Sequence, residues 1–190
     1  LMAENSLAGG FAAPAVNSAV AFRGIMMAMA EPGRIMPVSG GIPPRPMDSA
    51  AGVLALTLCD PTTPVGLMPS MDQPAIREWL TFHTGAPIIA PGEAEFVFGR
   101  FDEMADFTVF RQGTSEYPDR SATLVAAVAS LENSGAVLRG PGIKESRALN
   151  LPDVTPFQAN AALYPLGVDV VMVAGGDLVA IPRSTRVEVE

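Results

Sequence analysis

The 190-residue sequence predicts an α/β protein in which helices flank a layered, mixed β-sheet. Segments with helical signals alternate with short β-rich segments along most of the chain, as in layered α/β folds. The run at 121–131 contains Thr and Val and is apolar without clean alternation, which favours a strand buried on both faces. The sequence AGGD at 174–177 separates two β-rich runs and is typical of a β-hairpin. A hairpin beside a buried strand makes the expected sheet mixed.

The helices follow from start and stop signals. Asn17 or Ser18 is expected to cap a helix that runs to about Met29, because the EPG sequence at 31–33 disfavours helix before its proline and admits positive φ at its glycine. Three further helices are predicted: residues 50–58 after a cap at Asp48 or Ser49, residues 73–83 after Asp72 with an end at Gly85, and residues 156–167 after Thr155.

Short strands occupy most of the remaining chain. Pro64 has no N–H to donate to a neighbouring strand, so residues 63–69 are predicted to form an edge strand. A helical turn is expected near 101–106. The other predicted strands lie within 33–47, 87–90, 94–99, 121–131, 135–140 and 168–182.

The composition limits the classes of function. The formal net charge is −8, and an acidic chain without a basic cluster is a poor partner for nucleic acid or for an anionic membrane, so we predict neither. The longest apolar runs have about half the length of a spanning helix, and no basic residue precedes Arg23 as a secretory signal requires. We expect one cytoplasmic domain over residues 1–190, with a loose segment at 1–15. Because 48% of the residues are hydrophobic, part of the apolar surface is expected to be buried against another chain.

The chain contains one cysteine, Cys59, and one histidine, His83. It therefore cannot form an intrachain disulfide. It also cannot supply the ligands of a zinc site built from four cysteines, from two cysteines and two histidines, or from three histidines, nor a complete iron–sulfur ligand set. Cys59 lies in an apolar segment and is expected in the core. We predict no metal site and no catalytic set.

The sequence LRGPGI at 138–143 is the first candidate site. Gly140 and Gly142 allow backbone amides to approach an anion while Arg139 pairs with it. Pro141, however, has no N–H to contribute, and the motifs of phosphate-binding loops and dinucleotide folds are absent. The alternative is a tight strand-to-loop turn with proline in its preferred place.

Four other residues are weighed in the same way. Lys144 is the only lysine, but its polar neighbourhood favours a solvated side chain over a pyridoxal phosphate Schiff base. His83 is a candidate base, or a helix-terminal histidine that hydrogen-bonds freed carbonyls. Arg183, in IPRSTR, stands near hydroxyls that suit phosphate, or at a solvated strand end. Arg23 lies in a Met-rich helix that either packs in the core or forms a contact surface.

Several stretches together resemble the PhnH family of the bacterial carbon–phosphorus lyase system. The pairing of FR…MAEPG with YPLGVD…AIPRST is specific, and Tyr164 in place of the family's Phe is a mild departure. The matching stretches, in order, are AFRGIMMAMAEPG (21–33), LTFHTGAPI (80–88), ATLVAAVASL (122–131), LRGPGI (138–143) and YPLGVDVVMVAGGDLVAIPRSTRVEVE (164–190).

The resemblance implies a fold, an activity and partners. The implied fold is a reduced relative of the pyridoxal phosphate-dependent transferase fold without the cofactor. The family acts with subunits G, I and L to displace adenine from ATP with methylphosphonate, which gives ribose 1-methylphosphonate 5-triphosphate. It also belongs to a core complex with G, I and J, and it can form a homodimer. No cofactor of its own is implied.

Two hypotheses of function remain open. In the first, the chain is a structural or substrate-assisting subunit of this complex, whose favoured contacts to phosphonate or triphosphate are Arg139, Arg183 and Arg23. In the second, it is an independent nucleotide- or phosphonate-binding protein that uses Arg139, Arg183 and His83.

Overall fold

The structure is a computed structural model, and it describes residues 7–189. Within this range none of the helices is long and apolar enough to cross a membrane. Single turns of 3-10 helix lie at Pro91–Glu93, Phe101–Glu103 and Phe107–Val109. The α-helices of the described range are α1 (Pro14–Ala30), α2 (Ser49–Leu58), α3 (Pro74–Thr84) and α4 (Thr155–Ala162). Its strands are β1 (Met36–Pro37), β2 (Val65–Leu67), β3 (Ile88–Ile89), β4 (Phe96–Arg100), β5 (Thr123–Ala127), β6 (Ala136–Arg139), β7 (Arg147–Leu149), β8 (Asp169–Ala174), β9 (Asp177–Ile181) and β10 (Arg186–Glu188).

Seven strands form one mixed sheet, so the predicted α/β class with a mixed sheet is confirmed. The strand order is β1-β9-β8-β5-β4-β2-β3. The strands from β8 to β3 are parallel, whereas β9 and β1 add an antiparallel end. The predicted central strand is β5, which pairs in parallel with β4 on one side and with β8 on the other. The predicted hairpin joins β8 to β9.

A second, three-stranded sheet was not predicted from the sequence. It has the order β10-β6-β7 and is antiparallel throughout. Its strands have three or four residues each, too short for a clear pattern of alternation. Their pairing joins residues almost 50 positions apart, such as Arg139 and Arg186, and no local signal indicates it.

The large sheet is the middle layer of the molecule. Side chains of successive strand residues point to opposite faces, so Val125 of β5 joins one core cluster and its neighbours Leu124 and Ala126 join the other. The first cluster packs under α1, α2 and α3 and includes the buried Trp79. The second cluster lies under the small sheet and α4, and it includes Phe157.

The bounds of two helices differ from the prediction. α1 begins at Pro14, earlier than the predicted caps, because Pro14 occupies the first turn and Asn17 Oδ1 accepts a hydrogen bond of 2.8 Å from the Ala13 N–H. α4 ends at Ala162, earlier than predicted, because Pro165 disfavours helical backbone at the residue before it. The bounds of α3 are close to the prediction, with Gly85 in the left-handed conformation (φ 68°) at its end.

The prediction of an edge strand at 63–69 is wrong. β2 lies inside the sheet, between β4 and β3. Pro64 precedes the strand, and its carbonyl accepts the Glu95 N–H at 2.9 Å. The missing N–H therefore falls outside the ladder and does not confine the strand to an edge.

The N-terminal segment contacts α3 and the loop before α2. The Trp79 indole N–H donates to the Ala8 carbonyl at 2.9 Å, and the Ile42 N–H donates to the Gly9 carbonyl at 2.8 Å. Residues 1–6 lie outside the described residues, so a loose segment over 1–15 remains a prediction.

We expect Phe157→Ala to lower the free energy of unfolding by about 3–5 kcal/mol. Phe157 is 2% exposed and packs against the rings of Phe101 and Phe107 at centroid distances of 5.8 Å and 5.2 Å, so its loss leaves a cavity. Urea denaturation followed by circular dichroism measures the change. The control is Phe82→Ala, at a ring that is 61% exposed, with an expected cost of about 1 kcal/mol or less. Equal losses in the two variants would contradict this account of the core.

Candidate functional site

An open cleft of about 550 Å³ lies where several loops meet. Five segments that are distant in sequence line it: 29–32, 118–119, 141–142, 164–169 and 182–184. Four of these segments belong to the stretches that carry the family resemblance, so the most distinctive parts of the sequence converge on one surface. We call this surface the proline-lined cleft, because Pro32, Pro118, Pro141, Pro165 and Pro182 all line it. Proline offers no backbone N–H, and the cleft is correspondingly poor in donors for an anion.

Arg183 lines the cleft, as predicted, but its donors are occupied by the protein itself. Its Nη2 donates to Asp169 Oδ2 at 2.8 Å and its Nε donates to Asp169 Oδ1 at 3.3 Å. Its Nη1 donates to the Pro118 and Pro165 carbonyls, and its Nη2 also donates to Ser121 Oγ. The Arg183 and Asp169 side chains are 14% and 18% exposed. An anion would have to displace Asp169 to bind this guanidinium.

The sequence GPGI at 140–143 forms a β-turn that packs between loops. The Ile143 N–H donates to the Gly140 carbonyl at 3.1 Å, with Pro141 in the second position and Gly142 in the third at φ 83°. A Cβ atom on Gly142 would lie 2.0 Å from the Ala30 carbonyl oxygen, and one on Gly140 would lie 2.9 Å from the Ser184 carbonyl oxygen. The glycines are needed for close backbone approach, and the interpretation as a turn is confirmed.

Arg139 stands beside the turn but outside the cleft lining. Its Nε donates to Glu188 Oε2 at 3.2 Å and its Nη1 donates to the Glu145 carbonyl at 3.0 Å. The side chain is 44% exposed, so part of its guanidinium faces solvent. Lys144, two residues beyond Gly142, is exposed on the following loop.

His83 lies on α3 and does not line the cleft. Its ring sits 5.0 Å from the Trp79 ring and 5.0 Å from the Phe82 ring, and a Cβ on Gly10 would lie 2.5 Å from His83 Cε1. Its Nε2 is buried without a partner among residues 7–189, and no hydrogen bond joins it to a freed α3 carbonyl there. The expectation of a helix-terminal histidine that caps carbonyls is therefore wrong for the described residues, because aromatic packing holds the ring instead.

Arg23 is exposed at the centre of an apolar helix face. It is the only charged residue of the 17 in α1, and it has no ion-pair or hydrogen-bond partner within the described part of the chain. Val20, Arg23 and Met27 are three or four residues apart and share one face. We call the exposed side of this helix the α1 face; its apolar residues are Val16, Val20, Phe22, Met26 and Met27. Val20 is the most exposed of them, at 69%.

Hydrogen bonds from Arg147 and Asn133 to the EPG turn were not predicted from the sequence. Arg147 Nη1 donates to the Glu31 and Pro32 carbonyls at 3.1 Å and 2.9 Å, and Asn133 Nδ2 donates to the Gly33 carbonyl at 3.0 Å. These bonds hold the end of α1, and with it one wall of the cleft, against the small sheet. Nothing near Arg147 or Asn133 in the sequence indicates this role, whereas Asp169 does stand in the same distinctive stretch as its partner Arg183.

A crevice at the carboxyl ends of β2 and β4 is filled by the protein itself. β3, which follows β2 in the chain, lies on one side of the β4–β2 pair, whereas β5, which follows β4, lies on the other side. Parallel sheets bind ligands at such reversals of strand order. The Ser70 and Arg100 backbone N–H groups donate to Glu103 at 2.9 Å and 3.0 Å, and the Ser70 hydroxyl donates to it as well. Burial acts to raise the pKa of Glu103, but these hydrogen bonds outweigh it and hold the pKa below its ordinary value. An internal carboxylate thus satisfies the donors that an anionic ligand would use.

The cysteine of the chain lies in the core, as predicted. Burial, with smaller contributions from Glu95 and Asp60, raises the pKa of the Cys59 thiol to about 12, so this buried cysteine stays protonated as a core residue. Among the described residues no group of three His, Cys, Asp or Glu side chains is placed to hold a metal ion. Of the predicted site residues, Gly142 and Arg183 line the cleft, Arg139 and Gly140 adjoin it, and Arg23 and His83 lie outside its lining.

Comparison with known proteins adds a family and two relatives. A family model described as "Bacterial phosphonate metabolism protein (PhnH)" matches residues 9–188. The α-D-ribose 1-methylphosphonate 5-triphosphate synthase subunit PhnH of Rhizobium meliloti (strain 1021) is 40% identical over 193 residues, which cover 96% of each chain. The putative C-P lyase subunit protein HtxG of Stutzerimonas stutzeri is 29% identical over 181 residues, 90% of this chain and 85% of that protein.

We expect Asp169→Ala to lower the free energy of unfolding by about 3 kcal/mol, because it leaves the Arg183 guanidinium largely buried without its counter-ion. The control is Asp102→Ala, which removes one partner of the exposed pair between Arg100 and Asp102 and should cost clearly less stability, because water screens that pair. Chemical denaturation of both variants measures the difference. If the two variants lose the same stability, the Arg183–Asp169 pair does not hold the cleft together.

A second prediction concerns pH. Because the pKa of Glu103 is lowered in the folded protein, its ionised form stabilises the fold at neutral pH, and this contribution is lost as the pH falls below the ordinary value of 4.5. We expect Glu103→Gln to be less stable than the parent by about 1–2 kcal/mol at neutral pH, with a difference that shrinks towards about pH 3. Urea midpoints measured across this range test it, with Glu116→Gln, at an exposed site, as the charge-matched control. A difference that is independent of pH would refute the role given to this carboxylate.

Proposed function

Because the chain belongs to the PhnH family of bacterial phosphonate metabolism proteins, we propose that it is a non-catalytic subunit of the assembly that makes α-D-ribose 1-methylphosphonate 5-triphosphate. The observation that carries this proposal is the α1 face. Five large apolar side chains stand exposed on one helix around a single arginine. A helix that is apolar on its outer side gains stability by packing against another protein chain.

The α1 face continues into the proline-lined cleft. Met29 and Ala30, at the end of α1, line that cleft, and Tyr164 on its other side is 62% exposed. Interface cores are enriched in aromatic residues, Met and Arg, and all three occur on this surface. The α1 face and the cleft together therefore offer one extended contact surface.

The site chemistry supports a subunit that contributes contacts. Of the candidate base His83 and the candidate anion ligands Arg139 and Arg183, Arg183 alone lines the proline-lined cleft. Among the three candidate arginines, Arg23 and Arg139 are more exposed than Arg183, so a direct contact to phosphonate or triphosphate is assigned to them first. An independent nucleotide- or phosphonate-binding protein is the weaker candidate for this reason.

The finer parts of the proposal follow from the family resemblance. We propose that the partners are subunits G, I and L during synthesis from ATP and methylphosphonate, and G, I and J in a core complex. In their absence we expect a homodimer. We also propose one cytoplasmic domain, where ATP is available, with a fold that is a reduced pyridoxal phosphate-dependent transferase fold. The exposed position of Lys144 supports the absence of an inherited Schiff-base role.

Coexpression with subunits G, I and J tests the proposal. The affinity-tagged chain is expected to retain these subunits through purification, and the double variant Val20→Glu with Met27→Glu is expected to lose them. Glutamate preserves helix propensity but places two charges on the α1 face. Circular dichroism of the purified variant verifies that it is folded.

The matched control is Val109→Glu, which charges an apolar side chain that is 58% exposed on a 3-10 turn away from α1. This variant should retain the partners. If the parent chain emerges alone, the proposed function is wrong. If the α1 variant binds as well as the parent does, the function stands and the assignment of the surface is wrong.

A further inference from the structure

The centre line of the α1 face follows a heptad spacing. Val16, Val20, Arg23, Met27 and Ala30 succeed one another at intervals of four, three, four and three residues, and all five are exposed. We call this row the α1 seam. Intervals that alternate between three and four residues place side chains in one line along a helix, and they are the intervals at which a second helix packs lengthwise.

The opposite side of the same helix is already packed. Ala21, Ile25 and Ala28 are buried in the first core cluster of this chain. α1 is therefore apolar on two sides, although only one of them meets its own protein. Because the outer side of a surface helix normally carries the polar residues, the outer side of α1 lacks a covering layer within residues 7–189.

Arg23 stands in the middle of the seam, between Val20 and Met27, and no hydrogen bond or ion pair joins it to the described part of the chain. An apolar surface that packs on the seam removes this guanidinium from water, and a desolvated charge without a counter-ion is costly. The covering surface therefore has to supply a carboxylate opposite Arg23. Arginine suits such a contact, because its planar fork of donors binds both oxygens of a carboxylate.

A second copy of α1 does not supply that carboxylate. α1 contains no Asp or Glu, so no register of two α1 seams pairs Arg23 with a counter-ion. A two-fold contact centred on Arg23 brings the two guanidinium groups together, and like charges repel. Glu31, which follows the helix, is already paired with Arg34. Arg23 thus disfavours self-association through this face and favours a different chain.

We propose that a helix of another subunit lies along the α1 seam, with apolar residues at the same spacing and one Asp or Glu opposite Arg23. The inference rests on the proposed function, which places a subunit contact on the α1 face, and it adds the shape and the charge of the segment that makes this contact. Val20 and Met27 then exclude water from the ion pair, as apolar contacts do around an interface hot spot. A direct contact to phosphonate or triphosphate is left to Arg139.

The first test measures the affinity of the immobilised full chain for purified subunits G, I and J by biolayer interferometry, without ATP or methylphosphonate. Arg23→Met keeps an unbranched side chain but removes the charge. We expect it to weaken the affinity about thirtyfold or more, because the partner's carboxylate is left desolvated without a counter-ion. Arg23→Lys retains the charge and should lose less. The matched control is Arg77→Met, at an arginine of α3 that is 47% exposed, and it should bind as the parent does.

Photo-cross-linking in the coexpressed complex identifies the segment that covers the seam. p-Benzoylphenylalanine replaces Val20 and Met27, one at a time, and mass spectrometry locates the attachment points. Both positions are expected to attach to one segment of a single partner, about seven residues apart, with an Asp or Glu between the two points. Attachment to a second copy of this chain, or to scattered loops of the partners, would overturn the proposal.

The affinities separate the remaining explanations of Arg23. If Arg23→Met binds as tightly as the parent or more tightly, the guanidinium reaches water beside a purely apolar contact, and the proposal is wrong. A loss of affinity that requires ATP and methylphosphonate assigns Arg23 to the substrate and also contradicts it. In both cases the parent chain still binds, so the proposed function stands. If the parent chain does not bind the subunits, the proposed function fails together with this inference.

Discussion

The arrangement of loops around the proline-lined cleft depends on the ion pair between Arg183 and Asp169. Asp169 opens β8 and Arg183 follows β9, so the pair closes the free end of the hairpin at the edge of the parallel strands. The same guanidinium holds the Pro118 and Pro165 carbonyls. A charge that is mostly removed from water has to be paired and hydrogen-bonded. Here the partners come from the segment before β5, from the loop before β8 and from the first residue of β8.

Two other charged side chains, those of Arg147 and Glu103, also hold loops in place by binding their backbone groups. Arg147 binds the carbonyls of the EPG turn, and Glu103 collects the N–H groups at the crevice between β2 and β4. Each uses a charge to satisfy backbone groups in a loop where no helix or sheet can do so. The charged side chain to which we assign an outside partner, Arg23 on α1, is exposed.

The sequence predicted features that arise from local physics. The positions of α3, β5 and the hairpin followed from a proline in the first turn, from an apolar β-rich run and from a Gly-Gly turn. The small sheet, the interior position of β2 and the partners of Arg147 and Arg183 depend on contacts between residues far apart in the chain. Periodicity carries no information on such contacts, and the predicted site was incomplete for the same reason: it named Arg183 without the carboxylate that neutralises it.

The turn at Gly142 shows how a glycine can be required by packing alone. With the Ala30 carbonyl oxygen only 2.0 Å from where a methyl group would begin, and with φ at 83°, the position excludes every residue but glycine. The constraint is steric, and it acts where the loop between β6 and β7 meets the end of α1. Any side chain there would push the loop away from Ala30 and so would separate two segments that line the same cleft.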